Sequence, residues 1–427
     1  MSSVAVTATD IHRTVDAVWR IESPKLIAGL MRIVRDLGLA EDLAQDALVA
    51  ALEQWPESGV PDNPGAWLMA AAKHRAIDSF RRNQLLSRKH EELGRDVEAR
   101  QMAMPDFDAN LDDHIGDDLL SLMFISCHPV LSAEARTALT LRLLGGLTTD
   151  EIARAFLAPE ATIAQRIVRA KRTLSDGKVP FEIPRGTELT SRLSSVLEVI
   201  YLIFNEGYSA TAGDNWIRPA LCEEAIRLGR VLAELAPREP EVHGLVALME
   251  IQASRAKARV GPTGEPILLF DQDRGKWDQL LIHRGLLALE RAEKSGARRG
   301  PYTIQAAIAA CHARARTPEE TDWERIVGLY DELAELAPSP VVQLNRAVAV
   351  AMASGPAAGF ELTEKLTTES SLRNYHLLPS VRGDLLTKLG RLAEARAEFE
   401  RAATLTQNAR ERDLLLARAE KLPIRVD

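Results

Sequence analysis

The sequence predicts an all-α protein built from more than one domain. Three observations carry this. Hydrophobic residues fill 46% of the 427 positions but aromatics only 5%, and Ala, Leu, Glu and Arg dominate, which is a helix-former composition. Apolar residues recur at three- and four-residue steps through most of the chain. Helix starts are legible from capping residues, most sharply in TTDEIARAFLAPEATIAQRIVRAKRTL, residues 148–174. The length suffices for about two to four domains.

Taken in order, residues 10–37 read as a helix with Ile11, Val15, Val18 and Trp19, then Leu26, Ile27, Leu30, Ile33, Val34 and Leu37 as its apolar positions. A second helix, LAEDLAQDALVAALEQW (39–55), repeats Leu39, Leu43, Ala47, Ala51 and Trp55 every four residues. Glu41, Asp42, Gln45, Asp46 and Glu53 are expected mostly on its outer side, either as an ordinary solvated acidic face or as a docking face for a basic partner. After a loop, Asn63 caps a third helix and Pro64 occupies its first position, where a missing N–H costs nothing. That helix carries Trp67, Leu68, Ala71, Ile77 and Phe80 beside Lys73, His74, Arg75, Arg81 and Arg82. From Lys73 to Arg95 there are seven basic and three acidic residues, a net +4. Basic residues interleaved with aromatics suit melted nucleic acid, whose phosphates need neutralising and whose bases stack. A cationic helix end set by the helix dipole explains Arg81 and Arg82 but not the whole cluster.

Residues 96–118 reverse the sign, with eight acidic residues and one Arg, and are expected as an acidic linker. Leu119–Leu144 reads as helix broken at His128-Pro129. In 148–174, Thr148 and Glu151 form a capping box, and Ile152, Ala153 and Phe156 give the first helix an apolar side. Pro159 sits in the turn. Ile163, Ile167, Ala170 and Leu174 form one face of the second helix; Thr162, Gln165, Arg166, Arg169 and Arg172 lie on the other. Alone, this is either a solvated amphipathic hairpin or a major-groove reader, since Arg and Gln make paired bonds to base edges.

The net charge of −8 does not exclude a local basic face. Cys127, Cys222 and Cys311 are isolated, against a disulfide framework and in keeping with a reducing compartment. Cys127 and His128 lack further ligands at metal spacing, so a packed thiol is expected. The longest apolar run, Val196–Phe204, is short and contains Glu198. A cytoplasmic protein without membrane contact is the expectation.

The order of these parts resembles the extracytoplasmic-function type of bacterial RNA polymerase sigma factor over roughly residues 10–176. The resemblance rests on EDLAQDALVAALEQW, NPGAWLMAAAKHRAIDSFRR and LLGGLTTDEIARAFLAPEATIAQRIVRAKRTL. It implies sigma domain 2 over 10–95, an acidic linker over 96–118, and sigma domain 4 with its helix-turn-helix over 119–176. It also implies that Asp42, Gln45 and Asp46 dock on the clamp helices of core polymerase. Asn63, Trp67, Lys73, Arg75, Asp78, Arg81 and Arg82 would read and melt the −10 element of promoter DNA. Thr162, Gln165, Arg166, Arg169 and Arg172 would read the −35 element. One departure stands out: the family commonly has Gly in the hairpin turn, and this chain has Leu157.

Residues 177–186 (GKVPFEIPRG) form an expected connector and domain boundary, followed by helical sequence to 427. Leu232–Pro237 (LAELAP) recurs as Leu333–Pro338. Gly383, Gly390, Ala395, Phe399, Ala402 and Leu405 have the spacing of a tetratricopeptide-like helix pair. Stacked hairpins curving into a superhelix are therefore expected over 187–427, with an irregular bundle as the other reading. Asn205 and Glu206, inside the apolar segment YLIFNEGY, are expected to have structural partners. Asp271, Asp273 and Arg274 suit a salt-bridged loop or a small binding site. There is no phosphate-binding Gly loop, metal cluster or nucleophile–base pair, so neither enzyme activity nor a cofactor is expected. The function expected is promoter-directed transcription initiation. The C-terminal part would act as a regulatory domain contacting the sigma domains, the polymerase or a signalling partner. The alternative is a conventional helix-turn-helix regulator with a ligand- or protein-sensing repeat domain.

Overall fold

The computed structural model of the chain describes residues 8–77, 115–294, 296 and 298–423. Helices make up nearly all of the regular structure. The chain divides into two compact units, Met1–Val199 and Ile200–Asp427.

In the first unit, α1 (Ala8–Val34) packs on α2 (Leu37–Ser58) and α4 (Ile115–Ser126). Asp36 caps α2, accepting from the Leu39 N–H at 2.8 Å. Helix α3, residues 64–77, begins where Asn63 and Pro64 predict: Asn63 Oδ1 accepts from Ala66 N–H at 3.1 Å. Leu68, Ala72 and Ala76 are its buried positions. Helices α5 (Ala133–Leu143), α6 (Thr149–Ala155) and α7 (Glu160–Asp176) complete the unit with the first half of α8 (Thr187–Tyr208).

Two boundaries differ from the sequence reading. The expected acidic linker ran to Asp118, but its last four residues are the first turn of α4. Asp118 is buried there and pairs with Arg32 of α1 at 3.3 Å. Acidic side chains favour a helix N-terminus, so they read as linker while acting as helix start. Residues 96–114 lie outside the described residues. Second, the two units divide at Val199/Ile200, inside α8, and not in the connector 177–186. The reason is hydrogen bonding at the end of α4, whose last carbonyls have no partner within their own helix. Arg192 Nη2 donates to Phe124 O at 2.9 Å and Ser195 Oγ donates to Cys127 O at 2.7 Å, with Leu193, Val196 and Leu197 buried alongside.

The second unit is a succession of packed helices: α9 (Pro219–Leu235), α10 (Pro240–Ala253), α11 (Gln279–Lys294), α12 (Pro301–Arg314), α13 (Trp323–Leu336), α14 (Pro340–Ser354), α15 (Pro356–Leu366), α16 (Leu377–Lys388), α17 (Leu392–Leu405) and α18 (Ala409–Glu420). The repeated LAELAP segment does the same work twice. It ends α9 and α13 with matching cap conformations at Ala236 and Ala337. Their N–H groups return to Leu232 O and Leu333 O, and Pro240 and Pro340 then start the next helices. In the α16–α17 pair, a Cβ at Gly383 would lie 2.7 Å from the Phe399 ring, so glycine is what lets these helices close.

The two ends of the array are joined to one another. Residues Ala212–Gly213 pair in parallel with Gln407–Asn408. Asn408, 1% exposed, donates to Ala210 O at 3.0 Å and Asn215 O at 2.9 Å while capping α18. An amide has two donors and an acceptor, and here each is used. Between α10 and α11, residues 255–278 hold only short 3-10 turns and irregular backbone. This insertion reaches helices far along the sequence: Phe270 stacks on Trp323 and lies under Lys388, and Gly264 lies beside Arg410.

Candidate nucleic-acid interface

The α6–α7 hairpin is built locally. Thr148 accepts from the Glu151 N–H and the Glu151 carboxylate accepts from the Thr148 N–H, a reciprocal capping box that fixes the start of α6. At its end, Ala158 N–H bonds Ala153 O (3.0 Å) and Leu157 N–H bonds Arg154 O (3.4 Å), the Schellman arrangement. That arrangement needs a left-handed residue, and Leu157 supplies it with φ +49°. The departure from glycine therefore leaves the turn geometry in place and stores strain at one exposed leucine.

Helix α7 places its residues as its periodicity predicts. Ile163, Ile167, Ala170 and Leu174 are buried against α5 and α6. Thr162, Gln165, Arg169 and Arg172 are exposed and Arg166 is half-buried, so all five lie off the packed stripe. Arg172 makes only an exposed, same-helix contact with Asp176 at 3.4 Å, which solvent screens. Charged donors on a rigid helix with water on one side can be transferred to phosphates and base edges at small desolvation cost.

The other candidates fall on two neighbouring helices. Asp42 and Asp46 are exposed on α2, and the half-buried Gln45 donates to Glu41 at 2.9 Å. On α3, Asn63 is taken up as its cap and Trp67 packs edge-on against Trp55 at 5.3 Å, so part of that ring is committed to the core. Lys73 is half-buried and Arg75 exposed. Asp78, Arg81 and Arg82 lie outside the described residues. Cys127 is a packed thiol bonded to Thr140 Oγ1 at 3.3 Å; burial pushes its acidity down, raising the pKa. Among the described residues no three His, Cys, Asp or Glu side chains are grouped to hold a metal. No helix there is long and apolar enough to cross a membrane.

One correction concerns Glu41, which was expected with the outer acidic residues. It is 4% exposed. It accepts from Arg142 Nε of α5 at 2.8 Å and pairs with Lys171 on the inner side of α7. Burial alone would raise its pKa, but the Lys171 and Arg142 charges together hold the carboxyl below its ordinary value. The signal was in the sequence: Glu41 follows Leu37 and Ala40 and precedes Ala44 on the buried side of α2. Glu41 thereby ties α2 to the hairpin, and Arg20–Glu151 at 2.8 Å ties α1 to it.

Comparison with known proteins agrees with this layout. Residues 19–85 match the sigma-70 region 2 family, residues 121–174 match sigma-70 region 4, and residues 192–293 match a family of unknown function (DUF6596). The uncharacterized protein R00370 of Rhizobium meliloti (strain 1021) is 45% identical over 390 residues, 91% of each chain. The ECF RNA polymerase sigma factor SigK of Mycobacterium sp. (strain KMS) is 29% identical over 144 residues, 32% of this chain and 68% of SigK. The probable ECF RNA polymerase sigma factor SigI of Mycobacterium tuberculosis (strain CDC 1551 / Oshkosh) is 25% identical over 171 residues, 39% of this chain and 57% of SigI. With region 2 carried on α1–α3 and region 4 on the helices that end in α7, the chain belongs to the extracytoplasmic-function sigma factors and continues, beyond region 4, into a DUF6596 domain.

Proposed function

We propose that this sigma factor binds core RNA polymerase through the acidic face of α2, with Asp42, Gln45 and Asp46 on the clamp helices. It reads the −35 element with Thr162, Gln165, Arg166, Arg169 and Arg172 of α7. Asn63, Trp67, Lys73 and Arg75 work at the −10 element with Asp78, Arg81 and Arg82, which follow them in sequence. The observation that carries this reading is α7 itself: a fully packed apolar stripe backed by a water-facing row of Gln and Arg donors. Such a helix has no packing use for its charged face, and the geometry suits a major groove. Lys171 is spoken for by Glu41 and is left out of the DNA contacts.

In this reading the protein acts in the cytoplasm and performs no covalent chemistry. It orients the polymerase and promoter DNA, and the second unit is a tetratricopeptide-like regulatory domain. Matching caps at the two LAELAP segments and the tight Gly383–Phe399 contact support that last assignment. The test is run-off transcription with purified core polymerase and the full-length chain on a promoter library. Discrete promoter-specific transcripts are expected from the wild type. Asp46→Arg, which reverses one exposed charge, is expected to lose core-enzyme capture at least about tenfold with an unchanged circular dichroism spectrum. DNA binding without any polymerase-dependent transcript would overturn the reading.

A further inference from the structure

The second unit contains a cavity of about 280 Å³ between α10, α12 and α13, roofed by the 255–278 insertion. Its walls are aromatic: Tyr201, Trp277 and Tyr330. Its polar lining converges from separate elements, with Gln252 from α10, Arg255 from the first residue of the insertion, Gln305 and His312 from α12, and Asn345 from α14.

What sets this cavity apart is an unmatched positive charge. The Arg255 guanidinium lies 5.8 Å from the Tyr208 ring centroid and 5.7 Å from that of Trp277, and bonds the Tyr208 hydroxyl. Among the described residues it has no carboxylate partner within ion-pair distance. Two more guanidiniums stand nearby without neutralising it. Arg259, 8% exposed, sits 3.6 Å over the Tyr208 ring and donates to Tyr208 O. Arg274 donates to His312 O and Ala315 O, both at 2.6 Å, and is 4.9 Å from the Trp277 ring centroid. The acidic groups nearest in effect, Glu319 and Glu320, act on Arg274.

The neutral groups are arranged for the same purpose. Burial, then Arg255 and Arg274, push His312 down to about 4, so the imidazole is uncharged at neutral pH and registers the positive field around it. Burial pushes the Tyr330 phenol up to about 12, so it keeps its proton and can donate. The Trp277 indole N–H, in a side chain 4% exposed, is unpartnered among the described residues, while the half-buried Tyr330 and the exposed Asn345 bring further polar groups to the lining. A buried donor left open beside such a lining is available to a ligand.

We propose that this cavity is a binding site for a small anion carrying a flat ring, an aromatic carboxylate or phosphate ester. The anionic group pairs with Arg255 and accepts from Tyr330 and Asn345, and the ring lies among Tyr201, Trp277 and Tyr330. The volume is at the small end of the roughly 300–1,000 Å³ typical of ligand pockets, which fits a one-ring molecule. A ligand here touches α10, α12, α13 and the insertion together, so binding ties the insertion to the helical array. This assignment is independent of the promoter residues, and direct binding tests it whether or not transcription responds.

The experiment is titration of the full-length chain with benzoate, phenyl phosphate, inorganic phosphate and neutral benzamide, followed by tryptophan fluorescence and thermal denaturation. Saturable quenching and a rise in Tm with benzoate or phenyl phosphate are expected, with at least about tenfold weaker binding of benzamide and of inorganic phosphate. Preference for benzoate over phenyl phosphate, or the reverse, identifies the anionic group. Arg255→Gln is expected to remove the preference for anions. Tyr330→Phe, which keeps the ring and the fold, is expected to weaken binding severalfold. Equal binding of benzamide and benzoate, or no saturable response to any ring-bearing anion by the folded wild type, would overturn the proposal.

Discussion

Two arginine clusters, the α7 face in the first unit and the 255–274 group in the second, are held in opposite ways. In the first, Arg169 and Arg172 stand in water on α7, and the buried Glu41 carboxylate is met by the opposite charges of Arg142 and Lys171. In the second, Arg255, Arg259 and Arg274 turn inward onto aromatic rings and backbone carbonyls, without carboxylate partners at ion-pair distance among the described residues. Exposed cations cost little to hold and can be handed to a polyanion. Inward cations are expensive to desolvate, so they persist only where ring faces and carbonyl oxygens replace water, or where an anion completes them. The contrast separates a water-facing row of cations from an inward group of cations held by ring faces and carbonyls.

The sharpest way to break this contrast is to unbalance the buried charge of the first unit. Glu41→Ala leaves Arg142 and Lys171 facing each other without their carboxylate. A loss of about 3–5 kcal/mol is expected, measured by denaturant unfolding of the full chain. An effect under about 1 kcal/mol would show that α2 and the hairpin are held by apolar packing alone. Acid tests the same group. Its folded pKa is depressed, so its stabilisation is present above the unfolded carboxyl value and is lost as pH falls through the folded one. First-unit stability should thus fall as pH drops below the ordinary carboxylate range, and Glu41→Gln should flatten that part of the profile.

Next in size are the exposed cations, which should do the reverse. Arg166→Ala and Arg169→Ala are expected to lose roughly 1–3 kcal/mol of promoter discrimination per base contact at the −35 position. Their Tm should be unchanged within the scatter typical of surface substitutions. Unchanged −35 preference in both would remove α7 from promoter reading. A large drop in Tm would mean that this face packs on something. The smallest effect concerns the strained turn. Leu157→Gly relieves a left-handed leucine but frees the unfolded chain, so a net gain of about 0.5–1 kcal/mol is expected, with DNA binding unaffected.

Local chemistry was legible wherever one segment determines its own geometry. The Thr148–Glu151 box, the Asn63 cap, the α7 stripe and the two LAELAP helix ends follow from neighbours within a few residues, and they stand where their sequence puts them. The region 2 and region 4 segments and the all-α class were readable for the same reason. What only tertiary structure decided involves partners distant in sequence. Glu41 reads as one more acidic surface residue until Arg142 and Lys171 arrive beside it. The unit boundary falls inside α8 because Phe124 and Cys127 carbonyls need Arg192 and Ser195. Asn408 joins the ends of the helical array through carbonyls almost 200 positions earlier. Helix periodicity records which side of a segment is apolar; which charge meets which carbonyl is settled only when the helices close on one another.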